Sequence, residues 1–157
     1  MEPVTFITIA TALRELTRAK HCTKLLTPEA IYLLTRFKNA YDGKDIESLS
    51  RCFASRIAVD LYGAESRDGL IAVFDDLFGK LNYFVSPSLT ITVYAIVEDT
   101  EKTFEAVLSF NSACLVGGIP IPFANFATGK ANCRIEQCGK GRTQWQITKL
   151  VDKNGGE

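Results

Sequence analysis

Ile57-Ala-Val-Asp-Leu-Tyr-Gly63 is a short run of β-branched, aliphatic and aromatic residues that ends in a turn glycine. It carries one acid, Asp60, at a point where a buried strand is expected to be apolar. On either side the period changes from two to that of a helix. Upstream, Thr27-Pro-Glu-Ala30 supplies a threonine cap, a proline at the first helical position and an acid in the positive first turn. The helix it opens is expected to run to about Tyr41, with Ile31, Leu34, Phe37, Lys38 and Tyr41 on one face, and to stop at Gly43. Asp45 then caps a shorter helix with buried positions at Ile46, Leu49, Cys52 and Phe53. Downstream, Ser66 caps a third helix in which Leu70, Ile71, Phe74, Leu77 and Phe78 recur at helical spacing as far as Gly79.

Beyond that helix the chain alternates. Over Ser88–Val97, Leu89, Ile91, Val93, Ala95 and Val97 oppose Thr90, Thr92 and Tyr94, and over Thr103–Leu115, Phe104, Ala106, Leu108 and Phe110 oppose Glu105, Ser109 and Asn111. The stretch Glu98-Asp-Thr-Glu-Lys102 between them has the composition of a hairpin turn. A Gly117-Gly-Ile-Pro-Ile-Pro122 loop precedes two further strands, 123–135 and 143–151, around Gly139-Lys-Gly141. Three helices, one short strand and four long strands joined as a meander predict an α+β domain with helices on one face of a curved antiparallel sheet.

The chain has 157 residues, the size of one ordinary domain. Residues 1–26 read as an N-terminal arm or helix, 27–152 as the domain and 153–157 as a frayed tail. Eighteen basic residues balance eighteen acidic ones, and no basic stripe occurs, so neither nucleic acid nor membrane is an expected partner. Five scattered cysteines without a C-x-x-C pair read as reduced thiols in a cytoplasmic protein. The first residues lack the basic region of a signal peptide. His21 and Cys22 have no second ligand or base at useful spacing, so neither metal nor cofactor is expected.

Residues 28–151 resemble the nuclear transport factor 2-like superfamily, the cone-shaped domain of SnoaL-like cyclases, ketosteroid isomerases, limonene-epoxide hydrolases and scytalone dehydratase. The resemblance lies in Phe37-x-x-Ala-Tyr41 with Asp45 and Leu49–Phe53, in Ala58-Val-Asp-Leu-Tyr-Gly63 followed by Arg67-Asp-Gly-Leu-Ile71, and in Trp145-x-Ile-x-Lys-Leu150. It implies a conical cavity between helices and sheet, and a homodimer formed by the open sheet face. It also implies that Asp60, counted back from Gly63, stands where ketosteroid isomerases hold a general base. Phe37 stands where those isomerases carry an oxyanion-hole tyrosine, and it cannot donate a hydrogen bond.

Asp60 shares a strand parity with Ala58 and Tyr62, and a cavity-facing carboxyl there would have a raised pKa and act as an acid or base near neutrality. The alternative is a strand-mouth carboxylate paired with Arg56 or Arg67. Asn125, on the parity of Phe123 and Ala127, is a candidate to orient a carbonyl across from it. Phe37, Tyr41, Tyr62, Phe74, Phe78, Phe110 and Trp145 are the candidate lining for a hydrophobic small molecule, or else plain core. Two functions follow as expectations: a cofactor-independent enzyme or ligand-binding protein of the SnoaL-like type, with Asp60 as acid/base, or a noncatalytic dimeric interaction module.

Overall fold

The computed structural model describes residues 28–81, 83–117, 119–120, 126–138 and 144–152. The expected arm with His21 and Cys22, the candidate Asn125 and the tail lie outside the described residues. Helix α1 spans Pro28–Asp42, with Glu29 in its first turn. Its buried face is Ala30, Leu33, Leu34, Phe37, Ala40 and Tyr41, rotated slightly from the expected one so that Ile31 and Lys38 sit at its half-buried border. Lys38 forms an ion pair with Asp42 one turn on. The other oxygen of Asp42 accepts the Leu89 N–H at 2.8 Å, which ties the end of α1 to the sheet.

Lys44, at φ 55, turns the chain into helix α2, Ile46–Ser50. The Asp45 carboxylate caps it by accepting the Ser48 N–H at 3.1 Å. The helix ends before Cys52 and Phe53, which were expected to continue it. The backbone there has better partners: the Arg67 guanidinium donates to the carbonyls of Ser50 at 2.8 Å and Phe53 at 3.4 Å, and Ile147 N–H donates to Cys52 O at 2.7 Å. Both side chains remain buried, now at the entry to strand β1, Phe53–Asp60.

Strand β1 stops short of the expected Gly63. Leu61 and Ala64 exchange backbone hydrogen bonds of 3.1 and 2.9 Å across Tyr62 (φ 54) and Gly63 (φ 82). Positive φ at both central positions is the hand of a type I′ turn. Gly63 is needed for its backbone alone, since a Cβ there would meet open space. Gly63→Ala is therefore expected to cost about 1 kcal/mol of left-handed strain, read as a lower urea midpoint with unchanged slope.

Helix α3 is Arg67–Lys80, capped by Ser66 Oγ, which accepts the Gly69 N–H at 3.0 Å. Five further strands follow: β2 Val85–Asp99, β3 Thr103–Val116, the two-residue β4 Ile119–Pro120, β5 Phe126–Cys138 and β6 Gln144–Asp152. They form one sheet in the order β1-β6-β5-β3-β2, with β4 on β3. All neighbours are antiparallel except β1, which joins β6 in parallel because helices, not a hairpin, connect it to the meander. Register shifts at Val93/Ala95 and Phe110/Ser112 mark bulges that bend the sheet around the helices. The fold class is the expected α+β cone, with the sheet mixed at one edge.

The core lies between α1, α3 and the concave sheet face. Leu89, Ile91, Phe104, Ala106, Leu108, Ala131, Cys133, Ile135, Ile147 and Leu150 are all 2% exposed or less, so no face of this layer is left for water. Phe37 is the hub of the aromatics, with ring centroids 5.9 Å from Phe53, 6.0 Å from Phe74 and 6.2 Å from Phe110 at edge-on angles that suit ring quadrupoles.

Candidate functional site

The two parities of β1 go opposite ways. Ile57, Val59 and Leu61 are buried at 8% or less, while Ala58 and Asp60 are exposed. The choice follows from area, since three large aliphatic side chains remove far more apolar surface from water than Ala58 and Asp60 would. Asp60 pairs in register with Val151, whose other neighbour is Asn132 on β5, and so belongs to the outer, convex sheet face. The expectation that Asp60 looks into an apolar cavity is corrected: the carboxyl is in solvent on the far side of the sheet. Arg67, one of its anticipated partners, is occupied by the Ser50 and Phe53 carbonyls.

Inside the cone a hollow of about 10 Å³ remains, lined by Phe37, Tyr41, Leu61, Tyr62, Phe74 and Phe110 with Leu89 and Leu150. That is the lower limit for one water molecule. Of the anticipated lining, Phe78 packs behind Tyr41 at 5.4 Å, and Trp145 is buried in the core away from the hollow. Among the described residues, the one polar pair at this depth is closed on itself: the Tyr41 hydroxyl donates to Ser112 Oγ at 2.7 Å. Burial pushes the Tyr41 phenol well above its ordinary value, against the smaller opposing effect of the Ser112 hydrogen bond. It is thus neutral at any ordinary pH, and apolar surface alone faces the hollow. Tyr62 closes the mouth, 39% exposed and in the left-handed region.

Ser112 was not among the expected site residues. Its parity was readable, because it follows Phe104, Ala106, Leu108 and Phe110 at intervals of two. Aromatic and cysteine side chains aside, Ser112 and Glu105 are the only buried polar residues among the described ones.

Glu105 is the second buried polar residue, 8% exposed, and it lies on the outer face. Strand register sets Glu98, Glu105, Arg134 and Lys149 side by side across β2, β3, β5 and β6. Arg134 donates to Glu105 at 2.7 Å, to Glu98 at 3.0 Å and to Glu136 at 2.7 Å, while Lys149 approaches Glu105 at 3.4 Å and Thr148 donates to Glu136 at 2.8 Å. Desolvation pushes the Glu105 carboxyl up, but Arg134, Lys149 and the Asn132 amide outweigh it and hold the group below its ordinary 4.5. The three carboxylates raise the Arg134 pKa in return. Asn132 keeps one unmet demand: its amide oxygen is buried without a hydrogen-bond partner among the described residues. Nearby, the Lys130 ammonium sits 4.3 Å over the ring of Tyr94. The convex face is therefore a charge-neutralised polar layer with small and β-branched residues around it.

Among the described residues, no group of three or more histidine, cysteine or acidic side chains could hold a metal ion, and no helix is long and apolar enough to cross a membrane.

No family model matches the chain, and no curated protein is similar to it in sequence. Its fold has many solved relatives. ActVI-ORFA from Streptomyces coelicolor superposes with a TM-score of 0.62 at 12% identity, over 79% of this chain and 90% of that one. An NTF-2 like protein of unknown function from Shewanella oneidensis MR-1 gives 0.58 at 14% identity, over 79% and 95%. A candidate calcium/calmodulin-dependent protein kinase type II association domain from Thiobacillus denitrificans ATCC 25259 gives 0.55 at 14%, over 82% and 95%. The chain has the nuclear transport factor 2-like, cystatin-like fold, that of the superfamily its sequence resembles.

Proposed function

We propose that this domain is a noncatalytic association module that pairs with a second copy of itself through the convex sheet face. One observation carries the reading: the ion-pair network with the most members among the described residues is on that face, centred on the nearly buried Glu105, whereas the hollow holds room for about one water and presents no polar atom. Small-molecule sites run to roughly 300–1,000 Å³ with polar groups converging on the ligand. Catalysis would need a group within reach of a substrate, and Asp60 faces away.

The face suits a two-fold partner. The row across it is acidic over β2 and β3, at Glu98 and Glu105, and basic over β5 and β6, at Arg134 and Lys149. A two-fold axis through its middle lays the acidic half of one copy on the basic half of the other. Thr92, Val107 and Ser109 lie half-buried between the strands and supply flat, close-approach surface. The fold relationship to an association domain is in keeping with this. The free thiols of Cys52, Cys114, Cys133 and Cys138 suit a reducing, cytoplasmic setting. Native mass spectrometry should give twice the 17.3 kDa chain mass. Val107→Arg, which places a fourth cation in the middle of the face, should return a folded monomer. A wild-type monomer at tens of micromolar would reject the reading.

A second reading has its own support. Tyr62, a bulky residue held at φ 54 at the mouth of the hollow, is the kind of strained feature that clusters at ligand gates. On that reading the cone admits a hydrophobic small molecule when Tyr62 swings out, and the Tyr41–Ser112 pair meets its polar end.

A further inference from the structure

A cleft of about 400 Å³ opens between α1 and α2, on the helical side of the domain and apart from both the hollow and the sheet face. The corner formed by Gly43 and Lys44 splays the two helices, so that Arg36 and Asn39 from α1 face Asp45, Ser48 and Arg51 of the next segment across it, with Cys52 at its base. This volume is within the range of small-molecule sites, roughly 300–1,000 Å³.

The two guanidiniums are available and the carboxylate is not. Among the described residues Arg36 forms no ion pair and the Asn39 side chain no hydrogen bond, while the Asn39 carbonyl accepts the Gly43 N–H. Among the described residues the Arg51 guanidinium is held only by Glu47, at 3.7 Å, and those side chains are 71% and 80% exposed, a pair of the kind worth about 0–1 kcal/mol. Asp45 is committed to its cap: one oxygen takes the Ser48 N–H and the other the Ser48 hydroxyl at 2.7 Å, and these bonds lower its pKa. Cys52 is no nucleophile, because burial pushes its thiol up to about 11 against the weaker opposing pull of Arg36.

We infer that the α1–α2 cleft binds the anionic group of a small molecule, a phosphate or a carboxylate, forked between Arg36 and Arg51 with the Asn39 amide as third donor. A planar guanidinium fork can donate two parallel hydrogen bonds to two oxygens of a carboxylate or of a phosphate. The inference is independent of the pairing proposed above, because the cleft and the sheet face share no residue.

The test is an NMR titration of the full chain at constant ionic strength with two probes, inorganic phosphate and malonate, following the Arg36 and Arg51 Nε–H signals and the Cys52 amide. At least one probe should shift all three saturably with Kd of about 1 mM or tighter, and the probe that binds more tightly assigns the anion class. R36Q and R51Q should each weaken binding about tenfold, the loss expected for one charge-assisted contact. E47Q, which frees Arg51, should tighten it. These are surface substitutions, so melting curves should match wild type. The absence of a saturable shift with both probes, or an R36Q/R51Q double variant that binds as wild type does, would overturn the assignment.

Discussion

Phe37→Ala is expected to destabilise the domain by about 3–5 kcal/mol, the range for truncating a buried phenylalanine. The value belongs at the upper end. Phe37 is 2% exposed and packs against Tyr41, Phe53, Phe74 and Phe110, residues contributed by α1, β1, α3 and β3. No single neighbour can move into the space without leaving another. For a chain of this size the loss corresponds to a fall in Tm of roughly 10–20 °C, and urea denaturation at neutral pH measures it directly. The variant also separates the two readings of the cone. If the hollow is only core, wild type ignores small apolar probes, and Phe37→Ala opens a dry cavity that takes up xenon or benzene. If wild type already binds them, the cone is a ligand site and Tyr62 its gate.

The helices were legible because their signals are local. Asp45 and Ser66 cap the helices they were expected to cap, and the apolar spacing of Leu70, Phe74 and Phe78 marks the buried face of α3. The long strands were legible from alternation, although each extends beyond its expected end by one to three residues at one end or both, since pairing partners continue where apolar alternation stops. The parallel pairing of β1 was not legible. It depends on where the chain returns after the meander, and no local residue encodes that.

The site was read less well, for a physical reason. In Ile57-Ala-Val-Asp-Leu-Tyr-Gly63 the alternation itself assigns Ile57, Val59 and Leu61 to one face and Asp60 to the other, and burial obeyed it. Superfamily position pointed the other way, toward a cavity-facing acid, and burial of three aliphatic side chains overrode that analogy. Tyr62 escapes strand parity because it is in a turn: its positive φ carries the ring back to the hollow although Asp60, two residues earlier, points outward. Glu105 was placed correctly on the polar face, but its burial comes from Arg134 on the neighbouring strand β5 and Lys149 one strand further on, which a single strand cannot reveal.

Arg134→Met is expected to cost about 2–3 kcal/mol at neutral pH. This is below the roughly 3–5 kcal/mol of a fully buried broken pair, because the Arg134 side chain keeps 30% of its surface in solvent. The variant leaves Glu98 and Glu105 directly opposed across β2 and β3, with Glu136 beside them and Lys149 alone to balance three carboxylates. The pH dependence separates charge from packing. In wild type both Glu105 and Glu136 are desolvated, yet their partners hold them below the ordinary 4.5, so their stabilisation is present above that value and is lost as pH falls through the folded pKa values. Without Arg134, burial dominates and the folded pKa values rise above the unfolded ones, so the variant loses stability as pH rises through the acid range. The gap between the two urea midpoints should therefore be widest near pH 7 and narrow toward pH 3, as the wild-type carboxyls take up protons and the variant's repulsion is relieved. A second change, Glu105→Gln in the Arg134→Met background, should recover part of the loss at neutral pH by removing the stranded charge. A gap of equal size at both pH values would mean that Arg134 stabilises through the packing of its aliphatic stem, and that the charged row on the convex face is not what fixes its shape.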